Sequence, residues 1–204
     1  MYERNGEKYF VVDSHSHLWD ASRGELEAGR AGVRQGWIDC FYGYHQLGPE
    51  HTRWDYEKYL KITPDDFERD VFVEGHVDKA IFLSMYLKEW YVNGFNTAEQ
   101  NAQLLERFGD RLIVNGRFDP RDGGPALKQL EADARTYALK GEQLYTAEWN
   151  GSSRGYRLTD SETYEFLHKA QELGSKNVHV PQGPDDLPLD KDAFDVAVVV
   201  ADDG

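Results

Sequence analysis

The stretch Tyr9-Phe10-Val11-Val12-Asp13-Ser14-His15-Ser16-His17 decides the fold class and contains the first candidate site residues. A short apolar run leads into two histidines that are one residue apart. Because side chains alternate between the two faces of a strand, His15 and His17 are predicted to point the same way. Zinc accepts neutral imidazole nitrogens, so the pair predicts part of a metal site. The alternative is an exposed histidine pair at a strand end.

Composition and charge limit the classes of function. The chain has 204 residues, of which 40% are hydrophobic and 13% aromatic, and this predicts one globular domain over 1–204. A formal net charge of -14 argues against nucleic acid or an anionic membrane as a partner. The single cysteine, Cys40, excludes an internal disulfide. The amino-terminal residues carry no signal-peptide pattern, so we expect a cytoplasmic protein.

Short apolar strands alternate with amphipathic helices after the first strand. Further strands are predicted at 79–84, 111–116, 139–145 and 176–181. Helix starts are predicted at Thr63, where a proline and two acids follow in the first turn, and at Thr97 and Thr159, each followed three residues later by a glutamine or glutamate that completes a capping box. Strand and helix alternation is typical of parallel α/β architecture with right-handed crossovers. About five such units are present.

The segment between the first strand and the first predicted cap has no clear period. Residues 20–60 are dense in glycine, aromatics and histidine, and they predict a loop-rich lid. Trp19 and Trp37 are candidates for lining a substrate pocket, with core packing as the alternative. His45 is a candidate substrate contact, as is His51 on weaker grounds, and a surface position is the alternative for both.

A later histidine extends the metal hypothesis. His179 lies on the fifth predicted strand, and it meets His15 and His17 only if the sheet curls into a barrel, where ligands gather at the carboxyl ends of the strands. Three histidines there would leave one position open on the metal. The register of this third ligand stays open, since a histidine at the position of Pro181 would fit equally well. Arg117 is a candidate substrate contact, and a local salt bridge with Asp119 is its alternative.

Four motifs carry a resemblance to a known family. They are the opening strand 12–17 of the form DxHxH, the segment 116–120 after strand three, Lys140-Gly141 with Leu144-Tyr145, and Val178-His179. With these motifs the chain resembles the amino-terminal part of the amidohydrolase-related metal-dependent hydrolases. This (β/α)8 TIM-barrel group includes aminocarboxymuconate-semialdehyde decarboxylase and γ-resorcylate decarboxylase.

The resemblance implies a fold and a ligand set. The fold would be an incomplete (β/α)8 barrel, and His15, His17 and His179 would bind one divalent metal, zinc or, in second place, manganese. That metal would act as a Lewis acid or activate a water molecule. The family pattern also implies a histidine from strand six and an aspartate from strand eight, which these residues do not supply. Asp202 and Asp203 lie on an acidic tail and are not assigned to that role, and no catalytic residue is assigned.

Two functions follow from the resemblance. The first is an enzyme that acts on a small carboxylated compound, aromatic ones included, by hydrolysis or nonoxidative decarboxylation. The second is an inactive barrel fragment that binds metal or a partner protein. We expect little turnover by these residues alone, because the final acid is missing. Open sheet edges predict homo-oligomers or self-association. The identity of the substrate does not follow from the sequence.

Overall fold

The computed structural model describes residues 1–21, 31–85, 95–146, 152 and 155–180, with no side-chain description for 31–37. The described strands are β1 (Tyr2–Arg4), β2 (Glu7–Tyr9), β3 (Val12–Ser16), β4 (Lys79–Leu83), β5 (Leu112–Arg117), β6 (Gly141–Gln143) and β7 (Asn177–His179). The described helices are α1 (Ala31–His45), α2 (Tyr56–Leu60), α3 (Pro64–Phe67), α4 (Ala98–Gln103), α5 (Leu105–Phe108), α6 (Gly123–Tyr137) and α7 (Ser161–Glu172). A π-helical turn, Glu68–Glu74, follows α3 directly.

The chain divides into two compact units. The first unit comprises Met1–Ala80 and Met85–Thr97, and the second comprises Ile81–Ser84 and Ala98–Gly204. Strand β4 therefore begins in the first unit and ends in the second. Along the described part of the chain, no helix has both the length and the apolar character needed to cross a membrane.

The main sheet follows the order of the chain. Its strand order is β3-β4-β5-β6-β7, and β5, β6 and β7 pair in parallel. Strands that neighbour one another in both chain and sheet are the arrangement of a (β/α)8 barrel. The predicted α/β class with five consecutive strands is confirmed.

One side-chain contact in the second unit explains why residue 141 is a glycine. Asn115, Gly141 and Asn177 lie side by side on β5, β6 and β7. The Asn115 amide nitrogen donates to the Asn177 side-chain oxygen, across the middle strand. A Cβ at Gly141 would clash with that oxygen, so any larger residue would displace the contact.

Helices pack against this sheet through a buried apolar layer. Phe82, Leu130, Leu144 and Phe166 are fully buried and come from β4, α6, the end of β6 and α7. Burial of each such side chain contributes roughly 1.5–3 kcal/mol. The apolar positions of the strands and amphipathic helices thus form the core of the second unit.

The first unit has its own small core. Ala21, Ile38 and Phe95 form a buried cluster, against which Trp19 and Tyr56 pack. Its best-predicted local feature is the start of α3. Thr63 and Asp66 form a reciprocal capping box, with Pro64 in the first turn.

Three local features differ from the sequence expectations. Asn5 and Gly6 both have positive φ and join β1 to β2 in an antiparallel hairpin that the pattern analysis missed. The segment 20–60 contains the 15-residue helix α1 as well as α2, so it is less loop-rich than predicted. The N-cap position of helix α7 is Asp160 rather than Thr159, and the Asp160 carboxylate accepts from the preceding Arg157 backbone N–H at 2.8 Å instead of from the first turn of the helix.

A carboxyl group is buried beneath the sheet of the second unit. Glu142 is fully buried, and its Oε1 accepts a hydrogen bond from Ser175 Oγ at 2.9 Å. Burial, with a smaller contribution from Asp133, raises the Glu142 pKa from 4.5 to about 8, although the Ser175 hydrogen bond lowers it. The folded protein therefore holds a proton on this group near neutral pH.

We predict that Glu142 makes the stability of the fold fall as the pH rises from about 4.5 to about 8. The folded-state pKa lies above the unfolded value, so the stabilisation is complete below the unfolded pKa and is lost as the pH rises through about 8. Glu142→Gln, which mimics the protonated group, should flatten the fall in Tm between about pH 5 and about pH 9, an effect of a few kcal/mol at most. Thermal unfolding followed by circular dichroism measures this. Glu106→Gln, at an exposed carboxyl, is the control, and equal pH profiles for all three proteins would contradict the prediction.

Candidate functional site

The two histidines that open the main sheet converge. His15 Nε2 and His17 Nε2 are 2.9 Å apart, and the ring centroids are 4.8 Å apart with the planes nearly perpendicular. The predicted orientation on one side of the strand is confirmed, because only side chains on the same face can meet in this way. Two nitrogens that share a tetrahedral zinc ion lie about 3.3 Å apart. A small rotation of either ring would bring the pair to that spacing.

Asp13 holds the backbone that carries the pair. Its Oδ1 accepts from the His15 backbone N–H at 3.0 Å, and its Oδ2 accepts from Ser16 Oγ at 2.7 Å. Ser16 is buried, which anchors the strand end between the two histidines. The aspartate of the DxHxH motif is therefore a positioning residue for His15.

The charge state of His15 suits a metal ligand. Partial desolvation lowers the His15 pKa below its ordinary value, and the Asp13 carboxylate opposes this shift. Neutral imidazole, the form that metals require, is thereby favoured. The described residues hold no group of three His, Cys, Asp or Glu side chains arranged to bind a metal, so the donor set observed here is the histidine pair.

The third predicted ligand lies in the second unit. His179 is the last residue of β7, half-buried, and its register partner on β6 is Gln143. Gln143 in turn pairs with Arg117 on β5. These three residues form one row across three parallel strands, at the carboxyl ends where the sites of such folds are built. Pro181, the alternative register position, lies outside the described residues.

The aromatic and histidine candidates near the first helix have structural contacts. Trp19 donates from Nε1 to the Tyr59 carbonyl at 3.0 Å and stacks on Phe95. His45 accepts the Trp54 backbone N–H on Nε2 at 2.7 Å. Its ring packs against both Trp54 and Tyr59, with centroids 5.2 Å apart in each case. Trp37 lies in α1, but its side chain is outside the described part of the structure.

Arg117 and its surroundings form a second polar cluster. The Arg117 side chain is buried, bonds the Phe118 carbonyl and stacks on the Tyr145 ring at 5.0 Å. The bidentate partner of Asp119 is Arg121, with Nε–Oδ1 at 2.8 Å and Nη2–Oδ2 at 2.6 Å. The sequence analysis gave a local salt bridge between Arg117 and Asp119 as the alternative to a substrate contact. In the structure, Asp119 forms a bidentate salt bridge with Arg121.

Tyr156 also belongs to this cluster, and no sequence pattern indicated it. The Arg121 guanidinium lies over its ring at 5.0 Å, and Arg117 acts on it electrostatically. It follows a stretch without strand or helix period. Tyr156 is identified only by the residues that surround it in the folded chain.

We predict that His45 stabilises the first unit. His45→Ala removes the acceptor for the half-buried Trp54 N–H and two ring contacts, so it should lower the free energy of unfolding by about 1–2 kcal/mol. Urea denaturation followed by tryptophan fluorescence measures this loss. His51→Ala, at an exposed histidine of the same unit, should change it by less than about 0.5 kcal/mol. Equal losses for both variants would contradict a specific role for His45.

Comparisons with known proteins place the chain in a family. An amidohydrolase family model matches residues 12–199, which is most of the chain. A search of curated proteins found no match.

Solved structures match most of this chain, which spans about half of their own length. An uncharacterised TIM-barrel protein from Bordetella bronchiseptica is 13% identical, with a TM-score of 0.56 over 88% of this chain and 58% of that one. The 2,6-dihydroxybenzoate decarboxylase from Rhizobium is 11% identical, with a TM-score of 0.53 over 90% and 53%.

A third structure contains a metal. The 5-carboxyvanillate decarboxylase from Novosphingobium aromaticivorans, complexed with manganese and 4-hydroxy-3-methoxy-5-nitrobenzoic acid, is 15% identical, with a TM-score of 0.53 over 84% of this chain and 50% of that one. At such identities the likeness concerns the fold, while the family rests on the match along 12–199. The chain therefore belongs to the amidohydrolase family.

Proposed function

We propose that this chain binds one divalent metal ion through His15 and His17 and serves a reaction on a small carboxylated compound. The observation that carries the proposal is the convergence of the two Nε2 atoms at 2.9 Å on the opening strand of the sheet. A small rotation of either ring would bring these two nitrogens to neighbouring positions around one cation. His179 as third ligand stays a prediction from the sequence.

Zinc is the first candidate for the metal and manganese the second. Zinc suits an imidazole-rich site, whereas the 5-carboxyvanillate decarboxylase of similar fold is complexed with manganese. A bound divalent cation would supply a Lewis acid for the carboxylate or carbonyl of the substrate. The contribution of the chain is to hold two neutral imidazoles in place, for which Asp13 fixes the backbone of His15.

A planar aromatic carboxylate is the substrate class that we favour. Two of the proteins with similar folds are decarboxylases named for 2,6-dihydroxybenzoate and 5-carboxyvanillate. Both names describe benzoate derivatives, so nonoxidative decarboxylation comes before hydrolysis among the proposed reactions. Fold alone does not carry activity, and the proposal therefore depends on the histidine pair.

The second candidate function is metal binding without turnover. The observation that favours it is the donor set, because the described residues hold no group of three His, Cys, Asp or Glu side chains arranged to bind a metal beside the histidine pair. The same histidine pair would then bind the ion without a complete set of acid-base groups. The two candidates differ in catalysis but agree on the metal.

We predict that metal binding depends on both histidines. His15→Ala and His17→Ala should each weaken zinc binding by at least about 100-fold, since loss of a direct ligand costs more than the 10–100-fold typical of its supporting groups. Isothermal titration with zinc and with manganese measures affinity, and elemental analysis gives the amount bound. His51→Ala is the matched control. Unchanged metal affinity in His17→Ala would contradict the proposal.

Turnover separates the two candidate functions. Purified protein loaded with zinc or manganese is given 2,6-dihydroxybenzoate or 5-carboxyvanillate, and released carbon dioxide is measured. Metal-dependent release that is lost in His15→Ala supports the enzyme. Metal binding without release supports the second candidate and contradicts the first.

A further inference from the structure

Helix α1 has one face that packs into the first unit. Ile38 is buried in the small core of that unit. One and two turns further on, the rings of Tyr42 and His45 contact the Tyr59 ring, with centroid distances of 5.5 and 5.2 Å. Residues that are four and seven positions apart lie on the same side of a helix. Ile38, Tyr42 and His45 therefore form the inner face of α1.

The other side of α1 is also apolar, but it is exposed. We define this outer face by five exposed residues, Cys40, Phe41, Gly43, Tyr44 and Leu47. Phe41, Tyr44 and Leu47 are 41%, 65% and 79% exposed. The Leu47 backbone N–H donates to the Tyr44 carbonyl at 3.0 Å, so the face extends past the end of the helix. The helix thus presents an apolar surface to solvent on the side away from the core.

The outer face carries no charged side chain. Between positions 38 and 47 the only Asp, Glu, Lys or Arg is Asp39, and its Oδ1 accepts from the Tyr56 hydroxyl at 2.8 Å, beside the inner face. An ordinary surface helix exposes charges, as α7 does with Glu162 and Glu165. A helix that is apolar on all sides is typical of one covered on all sides. The outer face therefore has the composition of an interface.

Two properties of the outer face suit contact with a second copy of the chain. The first is charge: a symmetric contact places the same patch against itself, and in a chain of net charge -14 an acidic patch would repel its copy, whereas an uncharged one does not. The second is shape. A Cβ at Gly43 would have no atom within 4 Å, so open space lies beside the exposed Tyr44 ring. A projection next to open space can fit its own copy after a rotation of half a turn.

We propose that two copies of this chain form a symmetric dimer through the outer face of α1. The two helices run antiparallel about a two-fold axis near Gly43, and the Tyr44 ring of each copy packs beside Gly43 of the other. Phe41 and Leu47 extend the contact to either side of the axis. This interface differs from the open sheet edges through which the sequence predicted self-association, and it uses none of the residues of the proposed metal site.

The area of the outer face sets the strength of the dimer. The exposed parts of Phe41, Tyr44 and Leu47 together offer roughly 350 Å² per copy, given the usual surface of such side chains. Stable complexes bury about 800 Å² per partner. These three side chains supply less than half of that area, so we expect a reversible dimer with a dissociation constant in the micromolar range or weaker.

Sedimentation equilibrium of the full chain over a wide range of concentration tests the dimer. The wild-type protein should pass from monomer to dimer as its concentration rises. Leu47→Glu and Tyr44→Glu should each raise the dissociation constant at least about tenfold, because the two-fold axis brings two new charges into one interface. Val73→Glu adds the same charge at a residue of the first unit that is 61% exposed, and it should leave the constant unchanged. A monomer at every concentration, or a Leu47→Glu dimer as strong as the wild type, would overturn the proposal.

Cys40, the single cysteine, allows a test on the unaltered protein. With a rise of about 1.5 Å per residue and helices about 8–10 Å apart, the proposed axis puts the two Cys40 Cα atoms about 12–14 Å from each other. A bis-maleimide of matching length should therefore join two copies. Cys40→Ser combined with Tyr164→Cys, which moves the thiol to an exposed position on α7, is the control. A wild-type chain that is not cross-linked, or a control cross-linked equally well, would overturn the proposal even if the glutamate variants fail to fold.

Discussion

The contact of Asn177 with Asn115 across Gly141 is the interaction on which the candidate site of the second unit depends. It joins β5 to β7 across the middle strand, at positions that are partners in the sheet register. A shift of one residue in any of these strands would turn its side chains to the other face. Because the register holds, Arg117 and His179 share a face two residues further on.

The histidine pair and several local features of the fold could be predicted from the sequence. The alternation of strand side chains requires His15 and His17 to share a face, and the structure brings their Nε2 atoms together. The helix start at Thr63 is equally local, since the cap, the proline and the acids of the first turn lie within three residues of one another. Such features need no knowledge of the rest of the chain, which explains why pattern analysis finds them.

Other features depend on contacts between distant residues. Helix α1 lacks a clear apolar period, and a described contact of its carboxyl-terminal half is Ile38 in the cluster with Ala21 and Phe95. The contacts of His45 with Trp54 and Tyr59 likewise form only after folding. Tyr156 carries no local signal at all. Its environment is determined by burial and by two guanidinium groups that lie more than thirty residues away in the sequence.

The histidine pair also has a consequence for which ion the protein acquires. Imidazole affinity for divalent ions rises from manganese through iron, cobalt and nickel to copper, then falls at zinc. Two rings on one strand offer no steric filter against any of these ions. The metal that loads would then reflect cellular supply and the geometry of the remaining ligands rather than a preference of the pair itself.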